Sequence, residues 1–593
     1  MPSQTAKSPH RILQFISERG IFMPENESES CREIITSQDY QDFIMRYTGK
    51  EVPLTEQYPF VRCTQVVNDK YMIVHAASEA LPDRDQFAVS YNFIPKCYGL
   101  LDTSNLESSG VLRLRRQPYL NLYGEGVLVG FIDTGIDYRH PAFRYSDGTT
   151  RIAAIWDQSI QTGELPEGFQ YGSEYTKEMI DLALASDDPY SVVPSRDTSG
   201  HGTFMAGIAV GSEIFDADFS GIAPRADIAA VKLKQAKNYL RDYLFIGREI
   251  DCFQENDIIM AIRYLETLAE KRNQPLVLCF GIGTNSGDHN GYAILDDVIS
   301  DVGRSFERAV TAAAGNEANL GHHFRGGPIA GEYEEVELRV AEGENGFFLE
   351  LWASAPNIFS IALQTPGGEA VSRISPRIDQ NQRITFLFEP TVVYIEYRLL
   401  EVRTGDMLIA MRFLNPTPGI WRLRVYDDVK RGGIYDIWLP MEGFVEPDTR
   451  FLNPDPEITI CGPGNSEWVI TSATYNHVND SIYLNSSRGY TRNGAVKPDI
   501  ASPGVNVYGP VPGGGYSRRT GSSIASAHAA GAAALIQEWG VVQEHYIYMD
   551  CLETKKLLIR GAQRSENLIY PNPQWGYGML NIYESFRSIR TSG

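Results

Sequence analysis

With 593 residues and a formal net charge of −22, the chain repels phosphate backbones and anionic lipid surfaces, which argues against nucleic-acid binding. Its 43% hydrophobic and 22% charged residues are those of a soluble globular protein, and the length suits about two to four domains. No apolar run is long enough to span a bilayer.

Four blocks succeed one another. Residues 1–97 carry no catalytic motif. Met1 to Arg19 lacks an apolar core and a small-residue cleavage site, so no secretory signal is read there. The expectation is cytoplasmic synthesis without a signal peptide, and residues 1–22 read as a flexible leader. Tyr40 to Tyr47 has helical periodicity, and Tyr71 to Val74 reads as a strand.

Residues 98–325 alternate strand and helix patterns. Val127 to Ile132 is almost continuously apolar, as in a strand buried on both faces. His201 to Val210 suits a buried helix, and Ile228 to Leu233 another strand. Asp257 is placed to cap a helix in which Ile258, Ile262, Leu265 and Ala269 share a face. Leu276 to Ile282 and Ala309 to Ala314 are further strands. The alternation predicts a parallel sheet with crossover helices.

Residues 326–462 change character. Val336, Leu338 and Val340 alternate with charged residues, and Phe347–Trp352, Ile358–Leu363, Val392–Tyr397, Met407–Phe413, Ile420–Tyr426 and Ile434–Leu439 are short strand candidates. This predicts an inserted β-sandwich or jelly roll. Residues 463–593 return to the α/β style, with a strand at Val469–Ala473 and an Ala-rich helix at Ser523–Gln537. Seven scattered cysteines without a CxxC pair predict free, mostly buried thiols in a reducing compartment.

Four short motifs bear chemistry. Asp133, in Phe131-Ile132-Asp133-Thr134-Gly135, is a carboxylate at the end of an apolar strand, where open parallel sheets form their sites. His201 lies between two glycines at a helix start, in Ser199-Gly200-His201-Gly202-Thr203. Asn316, in Ala313-Ala314-Gly315-Asn316, offers an amide donor for an oxyanion. Ser522 and Ser523 open the Ala-rich helix, where backbone N–H groups are free, and chemistry alone does not choose between them. Taken singly, each motif has an ordinary structural use.

Together, in the order Asp, His, Asn, Ser, they resemble the subtilisin-like serine proteases, the S8 family. Lys497-Pro498-Asp499-Ile500-Ala501-Ser502-Pro503-Gly504 and Ser220-Gly221-Ile222-Ala223-Pro224 also match the family pattern. The resemblance implies a Ser-His-Asp triad of Ser523, His201 and Asp133 with Asn316 at the oxyanion. It selects Ser523 because this residue holds the third position of the family's Gly-Thr-Ser motif. Ser522 stands in place of the Thr, and Ala527 where Pro is common. Gly281, Ile282 and Gly283 fall where the family builds one wall of its substrate pocket, with Gly281 where a serine is frequent.

The layout further resembles the clostridial Csp-type germination proteases, on the runs Ile94–Leu100 and Ser191–Asp197. That likeness implies an α+β prodomain over 1–97 that is clipped by the enzyme itself, with the cut between residues 94 and 102. The catalytic domain is expected over 98–325 and 463–593, with the jelly roll over 326–462 between them. Implied partners are the chain's own prodomain and a protein substrate, the zymogen of a spore-cortex hydrolase, in a spore-associated setting. No cofactor is expected, and no loop has the ligand spacing of a calcium site. A competing reading is a catalytically silent pseudoprotease that signals or binds. A third is sugar binding by the β insert, which requires Trp352, Trp421 and Trp438 to be exposed. His322 and His323 read as structural or solvent-facing.

Overall fold

Consecutive apolar residues in short runs leave helix and strand undecided, and tertiary cover decides between them. In the computed structural model, which describes residues 30–46, 61–68, 70–80, 94–100, 108–115, 117, 120–376 and 381–590, the segment Tyr40–Arg46 is a strand, β1. This corrects the helix expected there. Gln41 to Met45 are all buried, so the strand is covered on both faces and shows no alternation. Helix α1 (Cys31–Thr36), closed by a capping box between Ser30 and Glu33, precedes it. β2 (Val61–Val66) and β3 (Tyr71–Ala77) complete an antiparallel sheet of order β1-β3-β2. The leader 1–22 lies outside the described residues.

Helix α1 packs on β2, and Cys31 is bonded to Cys63 with their Cα atoms 5.5 Å apart. The expectation of unpaired thiols is therefore corrected at this pair. Nothing in the spacing of the two residues announced it; the packing brings them together. The other five cysteines are free and buried.

Strand β4 (Cys97–Leu100) follows. The main body then begins with β5 (Leu128–Asp133), β6 (Ile152–Asp157), β7 (Ser173–Thr176), helix α2 (His201–Val210) and β8 (Asp227–Lys232). Helix α3 (Asn238–Leu244), β9 (Phe253–Gln254), helix α4 (Glu255–Arg272), β10 (Leu276–Phe280) and β11 (Ile282–Gly283) come next, then helix α5 (Ile294–Arg304) and β12 (Arg308–Ala313). Asp257 does not cap α4. The helix starts at Glu255 behind Gln254, and the Asp257 carboxylate is spent inside, on Lys234 Nζ at 2.6 Å and Tyr171 Oη at 2.9 Å.

The β insert holds β13 (His323–Gly326), β14 (Glu334–Val340), β15 (Gly346–Ala353), β16 (Phe359–Gln364), β17 (Asn381–Thr385) and β18 (Val392–Arg398). It continues with β19 (Met407–Leu414), β20 (Gly419–Asp427), β21 (Tyr435–Trp438) and β22 (Arg450–Phe451). The chain returns to the body through β23 (Ile470–Asn476), β24 (Ser481–Ile482), β25 (Ile500–Pro503), the hairpin β26 (Val507–Val511) and β27 (Gly515–Arg519), helix α6 (Ser522–Gln537) and helix α7 (Cys551–Gly561).

The body is a nine-stranded sheet in which β24-β23-β12-β10-β5-β8-β6-β7 run side by side and β25 also pairs with β23. All pairings are parallel except those of the edge strands β7 and β24. Helices α2 and α6 pack on one another and on the sheet, as do α4 and α5. The expected α/β fold with an inserted all-β unit is present.

The insert forms a six-stranded sheet, β13-β21-β15-β19-β18-β17, and a four-stranded sheet, β16-β20-β14-β22, which share one apolar core. The six-stranded sheet buries its outer face as well. Phe348, Trp352, Leu408 and Trp438 pack there with Tyr243 and Leu244 of α3. Trp352, Trp421 and Trp438 are all buried, so the exposed tryptophans that the sugar-binding reading requires are absent at these positions.

The three-stranded sheet is joined to the body by buried charge. Asp42 of β1 accepts from Lys237 Nζ at 2.7 Å and from Gln254 Nε2 at 2.7 Å, and its other partner is His75 Nδ1 at 2.6 Å. Burial opposes its ionisation, but Lys237 and His75 outweigh burial and hold the carboxyl well below the usual range. Replacing Asp42 by Asn leaves Lys237 buried without its counter-charge. We expect a loss of about 3–5 kcal/mol in docking of this sheet. It is measured as faster amide exchange over 40–46 and 71–77 while 276–280 and 308–313 stay protected.

Candidate active site

Asp133 is the last residue of β5, a central parallel strand. His201 is the first residue of α2, entered through Gly200 at φ +75°, a conformation that favours glycine. At Gly202 a Cβ would collide with the carbonyl oxygen of Gly135 and sit 3.1 Å from Asp133 Oδ1. The helix start thus approaches the strand end as closely as backbone allows. Ser523 is the second residue of α6, where its own N–H has no partner four residues back.

These three elements bring the predicted groups together. His201 Nδ1 lies 2.8 and 2.9 Å from the two Asp133 oxygens, and Nε2 lies 2.9 Å from Ser523 Oγ. The imidazole therefore bridges carboxylate and hydroxyl, with Nδ1–H donating to Asp133 and Nε2 free to accept the serine proton. All three residues are buried, at 2%, 3% and 0% exposure for Asp133, His201 and Ser523. In a dry site each of these polar contacts is stronger than in water.

Asn316 follows β12 past Gly315, which has φ +109°. Its Oδ1 accepts from the backbone N–H of Ser522 at 3.2 Å, so the amide NH2 is the end left to donate beside Ser523. Gly281 stands between β10 and β11, and a Cβ there would lie 3.0 Å from His201 Cε1 and 3.1 Å from Ser523 Cβ. Ile282 and Gly283 of β11 form an edge that pairs antiparallel with β4, Leu100 opposite Ile282 and Gly99 opposite Gly283. On its other side β4 pairs with β9, Cys97 opposite Gln254 and Tyr98 opposite Phe253. Residues 97–100 thus lie as a third strand between the two walls of the cleft.

Three supporting residues were not singled out from sequence. Asp197 accepts from Gly200 N–H, Thr203 N–H and the hydroxyls of Thr134 and Thr203, all at 2.7–2.8 Å. It clasps the start of α2 to the loop after Asp133. Thr203 Oγ1 in turn accepts from Asp137 N–H at 2.9 Å. Asp197 lies three residues before the N-cap Gly200, outside the position where a cap is read from sequence, so only the folded loop brings it to the helix start.

The β insert also reaches the cleft. Cys97 packs in one apolar cluster with Tyr239, Leu240 and Cys252 of the body and with Met441 and Phe444 from the end of the insert. Glu317, next to Asn316, accepts from Asn285 Nδ2 at 3.0 Å and from the N–H of Glu442 at 2.9 Å, and pairs with His322 Nδ1 at 2.6 Å. His323 stacks on Trp438 and pairs with Asp436. Both histidines are buried, so of the two readings given for them the structural one fits and the solvent-facing one does not.

The model of the subtilase family of peptidases matches residues 124–336 and 454–578, more than half of the chain. The solved structure of the CspB protease of Clostridium perfringens is similar at a TM-score of 0.74 and 30% identity, over 82% of this chain and 97% of that one. The C5a peptidase of Streptococcus pyogenes is 21% identical over 449 residues, 70% of this chain and 35% of its own. The minor extracellular protease Vpr of Bacillus subtilis is 22% identical over 499 residues, 79% of this chain and 52% of its own. The chain thus spans about a third to a half of these two curated relatives. The matched segments carry Asp133, His201, Asn316 and Ser523 and flank the β insert, and on that match the chain belongs to the subtilase family of serine peptidases.

Proposed function

We propose that this chain is a serine endopeptidase that first cuts its own N-terminal part and then acts on a second protein. One observation carries the reading: a single imidazole within hydrogen-bonding distance of both a buried carboxylate and a helix-opening serine. In the reaction, Ser523 Oγ attacks a peptide carbonyl as its proton passes to His201 Nε2. Asp133 holds Nδ1–H and stabilises the imidazolium. The Asn316 NH2 and the Ser523 N–H donate to the oxyanion. His201 then gives its proton to the leaving amine. Water, deprotonated by the same nitrogen, releases the acyl group and restores the serine.

Self-cleavage is supported by the strand in the cleft. An antiparallel partner on β11 is how a peptide substrate adds to an exposed sheet edge. The described strand ends at residue 100, opposite Ile282, and the neighbouring Gly281 stands beside Ser523. The cut proposed is C-terminal to this strand, within the 94–102 range expected from sequence. The three-stranded sheet then acts as a prodomain, held through Asp42. For the second substrate we propose the zymogen of a spore-cortex hydrolase, and for the setting the spore. The likeness to the CspB protease and the Csp-type runs at 94–100 and 191–197 support both.

Three measurements test this. Intact mass and N-terminal sequencing should give two pieces for the wild type, the larger beginning just after residue 100, and one uncut chain for Ser523→Ala. An uncut wild type that also fails to react with a fluorophosphonate probe supports the silent pseudoprotease instead. Asn316→Ala should lower kcat by about 10²–10³ with KM little changed. Gly202→Ala should displace His201 and cost at least about 10²-fold in kcat, while the circular dichroism spectrum stays that of the wild type.

A further inference from the structure

Two free thiols share one apolar cluster where the strand that fills the cleft borders the body. Cys97 belongs to β4 and lies opposite Gln254 of β9. Cys252 stands two residues before Gln254, on the same face of that pair because side chains alternate along a strand. β9 begins at Phe253, so Cys252 lies just outside the ladder. Both cysteines are free and buried, at 2% and 0% exposure, and they share one apolar cluster. Burial, and the nearby Cys252 thiol, push the Cys97 thiol well above its ordinary value. The other free cysteines point elsewhere: Cys279 to Ser526 Oγ, Cys461 to Asn285 Oδ1 and Cys551 to the Val310 carbonyl.

We propose that Cys97 and Cys252 form a redox latch, whose disulfide tethers the cleft-filling strand to the catalytic body and whose reduction lets that strand leave. The proposal rests on the self-cleavage reading, since Cys97 lies before the inferred cut and Cys252 after it. The Cys31–Cys63 bond joins two residues on the N-terminal side and cannot serve. The oxidant is a low-molecular-weight disulfide. One protein thiolate attacks it and expels a small thiolate. The second protein thiolate then attacks the protein sulfur of the mixed disulfide and expels the other small thiolate. Two protein thiols are oxidised, one small disulfide is reduced to two thiols, and the two protons released by the protein are taken up by those thiolates or by water. Burial slows the attack in the closed state, so exchange proceeds from states in which β4 has lifted. Once bonded, the cut segment competes for the cleft at an effective concentration of about millimolar and keeps substrate out.

The test uses the purified full chain after incubation with oxidised glutathione, followed by thiol alkylation, peptide mass mapping, and gels with and without reductant. The expected result is a cross-linked peptide pair containing Cys97 and Cys252. Two fragments appear on the reducing gel and one band on the non-reducing gel. Cleavage of a fluorogenic peptide falls at least tenfold and recovers with dithiothreitol. In Cys252→Ser the fragments should separate on both gels and oxidation should change the rate less than twofold. Cys97→Ala provides the same comparison from the other strand if the first variant does not fold. Absence of the cross-linked pair from oxidised wild type, or an equal loss of activity in both variants, overturns the latch. A single full-length band on the reducing gel instead defeats the self-cleavage reading, and the peptide map still decides whether the disulfide forms.

Discussion

The structure is organised around one imidazole that must reach two groups at once. His201 meets Asp133, 68 residues before it, and Ser523, 322 residues after it. Hydrogen bonds of about 2.9 Å tolerate little error, so the three backbones that carry these groups have to be held by something stiffer than side chains. The parallel strand β5 delivers the carboxylate, and two helix starts deliver the base and the nucleophile. Gly202 removes the Cβ that would separate the first two, and Asp197 ties the helix start to the strand end through four donors.

The β insert poses the main difficulty for this arrangement, because it separates Asn316 from Ser523 in the chain. The body solves it by closing the insert on itself. Gly462 and Thr284 exchange backbone hydrogen bonds, Cys461 N–H donates to the Ala314 carbonyl, and β23 pairs parallel with β12. The chain therefore re-enters the sheet beside the strand it left. Burial of the outer sheet face, with Trp438 stacked between His289 and His323, fixes the insert against the body, and Met441 and Phe444 extend it to the cleft.

The N-terminal sheet and the cleft strand belong to the same mechanical system. Gln254 is the junction. Its backbone pairs with Cys97 in the cleft, and its amide donates to Asp42 in the sheet. Lys237, which pays for the burial of Asp42 with its own charge, also donates its N–H to Gln254 Oε1. A buried ion pair of this kind contributes little net stability against an apolar replacement, yet losing one partner is costly. It therefore acts as a positional constraint, keeping sheet and strand in register. Arg403 adds a second contact from the insert, donating to Tyr71 Oη beside Asp297.

Much of this was legible in the residues. Long apolar runs marked β5, β10 and β12 because a strand covered on both faces must be apolar throughout, and the Ala-rich stretch marked α6 because tight packing admits only small side chains. The four motifs could be recognised because chemistry permits few substitutes at each position. What sequence by itself determined was which groups react and which segments are strands or helices where periodicity is strong. Tertiary structure alone decided the rest. It turned Tyr40–Arg46 into a strand by covering both faces, diverted Asp257 from a cap to Lys234, and joined Cys31 to Cys63. It also buried the three tryptophans, aimed the Asn316 amide, and laid residues 97–100 in the cleft. Each of these outcomes depends on a partner distant in the chain, and local residue patterns carry no information about distant partners.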